Sequence, residues 1–122
     1  MPKLLIVDDE IDVREFAKNF FKRRKIDVEI AESGEEALLK LDAIKPDLMI
    51  LDVRMDGIDG IEVLRRMRES GNKTDVIMVT GINEMSVMEK ATELGAIGYI
   101  HKPLVLDELE KVVLNRLLKK VS

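Results

Sequence analysis

LMILDVRMDGIDG, residues 48–60, decides the fold. Its first four residues are apolar without a break, and Asp52 ends the run. An apolar run this short, closed by polar and glycine-rich sequence, reads as a buried strand. It shows no alternation, so the strand is covered on both faces, as in a parallel sheet between helices. Beyond it Ile61, Leu64 and Met67 recur at helical spacing, and Gly71 suits the C-terminal cap of that helix.

The same unit repeats on either side. LLIV (4–7) runs into Asp8 and Asp9, and VIMV (76–79) runs into Thr80. Residues 28–31 and 97–100 form two weaker runs, the first alternating and the second diluted by Gly98. Helical patterns separate the runs. Val13, Phe16, Ala17 and Phe20 share one expected face. Ser33 and Glu36 form a capping-box pattern before Ala37, Leu38 and Leu41, with Pro46 past the end. Val87, Ala91 and Leu94 lead to Gly95, and Asp107 and Glu110 form an N-terminal pair before Leu109, Val113 and Leu117. Strict strand–helix alternation implies right-handed crossovers and helices on both faces. Placing the two weak strands at the edges gives the order 2-1-3-4-5. The expectation is an α/β, flavodoxin-like (βα)5 doubly wound parallel five-stranded sheet, one domain over residues 1–122.

The bulk composition narrows the function. No cysteine is present, which excludes disulfide frameworks and thiolate metal sites. The acids interrupt the first apolar run too early for a signal peptide, and no stretch could span a bilayer, so the expected setting is cytoplasmic. The net charge is −4, with 20 basic and 24 acidic residues, and tryptophan is absent. A nucleic-acid surface needs a basic face and stacking aromatics, so direct nucleic-acid binding is not expected.

In an open parallel sheet the carboxyl ends of all strands meet one edge, where ligands bind. Asp8, Asp9, Asp52, Thr80 and Lys102 therefore converge, although each alone reads more plainly as a helix cap, a loop residue or a solvated charge. Clustered carboxylates repel unless a cation or proton intervenes. Oxygen ligands alone select a hard cation such as Mg²⁺. Lys102 would balance charge and grip a phosphoryl oxygen, and Thr80 could hydrogen-bond the same oxygen. His101, the only histidine, falls on the face opposite Lys102 and reads as an ordinary edge-strand residue.

These residues resemble a known family. LLIVDDE (4–10), LMILDVRMDGIDG (48–60), VIMVTG (76–81) and YIHKP (99–103) resemble, in order and spacing, the receiver domain of two-component response regulators. The resemblance implies that Asp52 is the phosphoacceptor. It implies that Asp8, Asp9 and Asp52, with the Arg54 backbone carbonyl, hold Mg²⁺ (Mn²⁺ being the alternative). Thr80 and Tyr99 would be the switch pair, Lys102 the catalytic lysine and Pro103 a cis-proline. The partners implied are a sensor histidine kinase or phosphotransfer protein and a downstream target or output domain. A membrane is not among them, and a phosphorylation-dependent homodimer stays open. The chain would catalyse only its own phosphorylation and slow dephosphorylation, and so would not be an enzyme. One departure stands out: Asp56 follows Met55 where the family usually has proline, which bears on metal affinity and phosphoryl lifetime.

Two other readings compete. A Mg²⁺-dependent aspartyl-phosphate phosphatase typically has a second Asp two residues after the nucleophile, and Arg54 stands there. A degenerate, unphosphorylated receiver acting as an interaction module would not need the full residue set. Ile11 should be exposed beside the acidic pocket, and Met85 should point off the buried stripe of its helix. Val112, Leu114, Leu118 and Val121 widen the apolar arc of the last helix, as deeper core or as partner surface.

Overall fold

The computed structural model describes residues 2–81, 85–102 and 105–121, the side chains of residues 106 and 118–121 excepted. Ten elements alternate along the chain. They are β1 (Lys3–Val7), α1 (Ile11–Lys22), β2 (Asp27–Ala31), α2 (Gly34–Ile44), β3 (Leu48–Asp52), α3 (Gly60–Glu69), β4 (Asp75–Thr80), α4 (Met85–Glu93), β5 (Gly98–His101) and α5 (Leu106–Val121). The strands are parallel in the order β2-β1-β3-β4-β5. The fold class and strand order expected from the sequence are therefore observed.

Alternation along the central strands splits the core into two layers. Leu5, Val7, Met49, Leu51, Val76 and Met78 pack with Ala37, Leu41, Val63, Leu64, Met67 and Ala91, beneath α2, α3 and α4. Leu4, Ile6, Leu48, Ile50, Ile77 and Val79 pack with Ala17, Phe21, Leu109, Val113 and Leu117, beneath α1 and α5. Every residue of β3 is buried, which is why its sequence shows no alternation. Truncating one of these leucines to alanine costs about 2–5 kcal/mol, because transfer energy and a cavity are lost together.

Helix ends follow their local chemistry. The Ser33 hydroxyl accepts from the Glu36 N–H at 3.1 Å, and the Glu36 carboxylate accepts from the Glu32 N–H at 3.0 Å. The capping box is thus present, with its return bond one residue earlier than the standard pattern. Gly71 and Gly95 take positive φ after α3 and α4, as expected of C-terminal glycines. Lys45 takes the same left-handed conformation after α2, ahead of Pro46.

Three expectations need correction. Phe16 is 59% exposed, so it is not part of the α1 core stripe. That stripe is Arg14, Ala17 and Phe21, flanked by the half-buried Val13 and Phe20. Phe16 lies roughly 100° from Ala17 around the helix, and the wheel has room for only one of two competing aromatic rows. β5 begins at Gly98, so Ile97 falls before it and is 40% exposed. α5 begins at Leu106, which puts Asp107 inside the first turn, and Glu110 instead pairs with Arg24, just past the end of α1. Pro103 and the side chains of Leu118 and Val121 lie outside the described residues.

Candidate functional site

The site forms where β1, β3, β4 and β5 end. β1 delivers Asp8 into a buried position, its N–H donating to the Ala31 carbonyl at 3.1 Å. The buried Arg14 guanidinium, one turn into α1, donates to the Asp8 carbonyl at 2.7 Å. One Asp8 carboxylate oxygen accepts from the Glu10 N–H at 2.9 Å. Burial, with the nearby charge of Asp52, outweighs that bond and Lys102 and lifts the Asp8 pKa to about 6. Asp9 and Glu10 follow on the exposed rim.

β3 delivers Asp52, which is 2% exposed. One of its oxygens accepts from the Lys102 ammonium at 2.8 Å and the other from the Arg54 N–H at 3.2 Å. Burial raises its pKa despite both contacts. Burial pulls the Lys102 ammonium the other way, yet the bond to Asp52 and the surrounding carboxylates prevail, and its pKa is raised. Lys102 is also 3.9 Å from Glu10. Its position is fixed by the backbone, since its N–H donates to the Thr80 carbonyl at 2.8 Å. Thr80 itself is buried at the end of β4.

Gly60 explains how α3 starts so close to Asp52. A Cβ there would stand 2.3 Å from the Asp52 carbonyl oxygen, so only glycine lets the helix begin at that distance. The Asp59 carboxylate caps α3 by accepting from the Glu62 N–H at 2.9 Å.

Ligand oxygens of Asp8, Asp9 and Glu10 lie within 4.8 Å of one another, the one such acidic trio among the described residues. This oxygen-only set, opposed by a single ammonium, fits a hard divalent cation. Asp52 adjoins the trio and turns its carboxylate to Lys102. Tyr99, half-buried on β5, donates its hydroxyl to the Met88 carbonyl and pairs with the Thr92 hydroxyl, both on α4. His101 is exposed at the end of β5. Ile11 and Met85 are 62% and 73% exposed, as expected.

Sequence reasoning placed Asp8, Asp9, Asp52, Thr80 and Lys102 at this edge and missed Glu10, Arg14, Asp59 and Gly60. The D-x-x-E spacing of 59–62 was a readable cap signal. Nothing local marks Arg14 as buried, because its partner is a carbonyl supplied by the sheet edge.

Comparison with known proteins agrees with this geometry. The response regulator receiver domain family matches residues 4–114. Sporulation initiation phosphotransferase F of Bacillus subtilis is 34% identical over 111 residues, which are 91% of this chain and 90% of that protein. Transcriptional regulatory protein TrcR of Mycobacterium tuberculosis is 39% identical over 109 residues, 88% of this chain but 42% of the relative, so the chain spans less than half of that protein. A two-component response regulator from Clostridium difficile superposes with a TM-score of 0.91 at 28% identity, covering 100% of both chains. Response regulator protein TrrA from Thermotoga maritima, in complex with Mg(2+)-BeF, does so at 0.84 and 33% identity, covering 96% of this chain and 100% of that one. With the sheet order, the acidic edge and the matched span in agreement, the chain belongs to the response regulator receiver domain family.

Proposed function

We propose that this chain is a phosphorelay receiver whose Asp52 accepts a phosphoryl group from the phosphohistidine of a sensor histidine kinase or phosphotransfer protein. The observation that carries the reading is Asp52 itself: buried at the end of the central strand, gripped by Lys102 at 2.8 Å and beside the Asp8–Asp9–Glu10 trio. An Asp52 oxygen forms the bond to phosphorus as the bond to the imidazole nitrogen breaks, and the imidazole keeps the electron pair. Lys102 shifts from the carboxylate to a transferring oxygen, so catalysis is positioning and charge compensation. Asp8 and Asp9, with Asp52 and the Arg54 carbonyl, would hold Mg²⁺, or Mn²⁺ in its place, which when bound would supply positive charge against the transferring oxygens.

The acyl phosphate would then draw in the Thr80 hydroxyl, and Tyr99 would leave its α4 contacts to fill the space. That is a two-state element biased by a modification. The readout would be the surface of α4, β5 and α5, offered to a downstream target or output domain. The TrrA complex with Mg(2+)-BeF supports the cation in this reading. No helix among the described residues is long and apolar enough to cross a membrane.

The test is incubation with Mg²⁺ and a small acyl or amido phosphate donor, followed by intact-mass analysis. One phosphoryl group is expected on the wild type and none on Asp52→Asn. Retention of the group in that variant overturns the assignment. Multiple turnover of a generic phosphate monoester would instead favour the phosphatase reading.

A further inference from the structure

Two amides of one loop serve two carboxylates from two strands. The Arg54 N–H donates to Asp52 at 3.2 Å, and the Asp56 N–H donates to Asp9 Oδ2 at 3.3 Å. The far side of the loop is also held. Gly57 turns at φ +80° against the Glu35 carboxylate of α2, which accepts from the Ile58 N–H at 3.4 Å. The amide at position 56 is therefore presented to Asp9 by a segment anchored at both ends.

We propose that the main-chain N–H of Asp56 is a positioning group for the cation site. It holds Oδ2 of an Asp9 carboxylate that lies within 4.8 Å of ligand oxygens of Asp8 and Glu10. The inference rests on reading these acids as cation ligands. Asp9 is exposed, so without a partner its side chain would rotate away from two neighbours of like charge. An N–H aimed at the carboxylate restricts that rotation and offsets part of the repulsion before any cation arrives, which is preorganisation. The contact belongs to the backbone, so the side chain at 56 is interchangeable except for proline, which has no N–H to give. It also ties the metal carboxylate to the loop that begins at the phosphoacceptor.

The experiment measures Mg²⁺ affinity by titration of magnesium chloride, followed through amide NMR signals, in the wild type, Asp56→Ala and Asp56→Pro. Both variants lose the carboxylate and only the second loses the N–H. Asp56→Pro is expected to bind about three- to tenfold more weakly than Asp56→Ala, the scale of one ordinary net hydrogen bond, since the contact is exposed. In Asp9→Ala the Asp56 amide signal is expected to shift and its hydrogen exchange to quicken. Equal affinities of the two Asp56 variants, or an Asp56 amide indifferent to Asp9→Ala, overturn the proposal and leave the phosphorelay reading standing. A wild type that binds no Mg²⁺ overturns the cation reading and this inference with it. If Asp56→Pro does not fold, the amide measurement decides alone.

Discussion

The two ends of the sheet each hold a charged group at least partly out of water, and they satisfy it in opposite ways. At the amino edge Arg68 of α3 donates to the carbonyls of Leu94 at 2.6 Å, Asn72 at 3.0 Å and Thr74 at 2.9 Å, and reaches Gly95 at 3.4 Å. Burial lowers its pKa, and its donors are taken up by backbone carbonyls. At the carboxyl edge Asp8, Asp9, Glu10 and Asp52 face one lysine, and the Asp8 and Asp52 carboxyls are raised by burial. A charge paired with fixed carbonyls staples α3 to the turns before β4 and β5. Charges left in surplus, paired through a single ammonium, leave room for a cation or a phosphoryl group.

The sharpest break between the two ends comes from exchanging one residue at each. Asp52→Asn is expected to abolish phosphoryl uptake, read by intact mass, while melting no lower than the wild type. Arg68→Ala is expected to keep phosphoryl uptake and to lose about 1 kcal/mol of stability in urea denaturation, the cost of leaving several half-buried carbonyls unmatched. Loss of phosphoryl uptake in Arg68→Ala, with the fold intact, would erase the distinction.

Mg²⁺ should stabilise the wild type by mass action and leave the amino edge untouched. Asp9→Ala should remove the metal-dependent rise in melting temperature and leave the metal-free protein as stable as before or more so. An undiminished metal effect in that variant would count against the trio.

The Asp8 pKa gives the pH dependence its sign. Its folded value is raised from 3.8 to about 6, so between those values the folded state binds more protons than the unfolded one. The Asp8 contribution to the stability of the metal-free protein therefore falls as pH rises from about 4 to about 6. Mg²⁺, which selects the ionised carboxylates, should cancel the decline. Thermal melts across that window with chelator and with Mg²⁺ check both halves, and a metal-free pH dependence left unchanged by Asp8→Asn would refute the burial argument for Asp8.

The smallest effect concerns the rim. Arg54 and Asp56 lie exposed beyond Asp52 with opposite charges. If their side chains act together on the water that attacks the acyl phosphate, Arg54→Ala and Asp56→Ala should be non-additive in dephosphorylation rate, by about 0.5 kcal/mol or more. Rates that multiply independently reject the coupling.

Much of this was legible in the chain. Three uninterrupted apolar runs named the central strands because burial on both faces removes alternation, and the weaker runs named the edges. The acids, the threonine and the lysine were legible because each follows a strand, and parallel strands end at one edge. The face of α1 was misjudged because two phenylalanine rows lie on adjacent sectors of one helix. Only packing in the layer that holds Leu4, Ile26 and Val113 selects Phe21 over Phe16.

The alternation of elements, the strand order and the residue types at the carboxyl edge follow from the order of amino acids alone. Periodicity and strand ends are local properties, written within a few residues. Three-dimensional packing is what makes Lys102 grip Asp52, brings Glu10 to Asp8 and Asp9, buries Arg14 under the Asp8 carbonyl and carries the Asp56 N–H to Asp9. Those pairings join residues up to 50 positions apart. They turn on separations of an ångström or so, and such distances are set by how helices seat on the sheet, which no local pattern encodes.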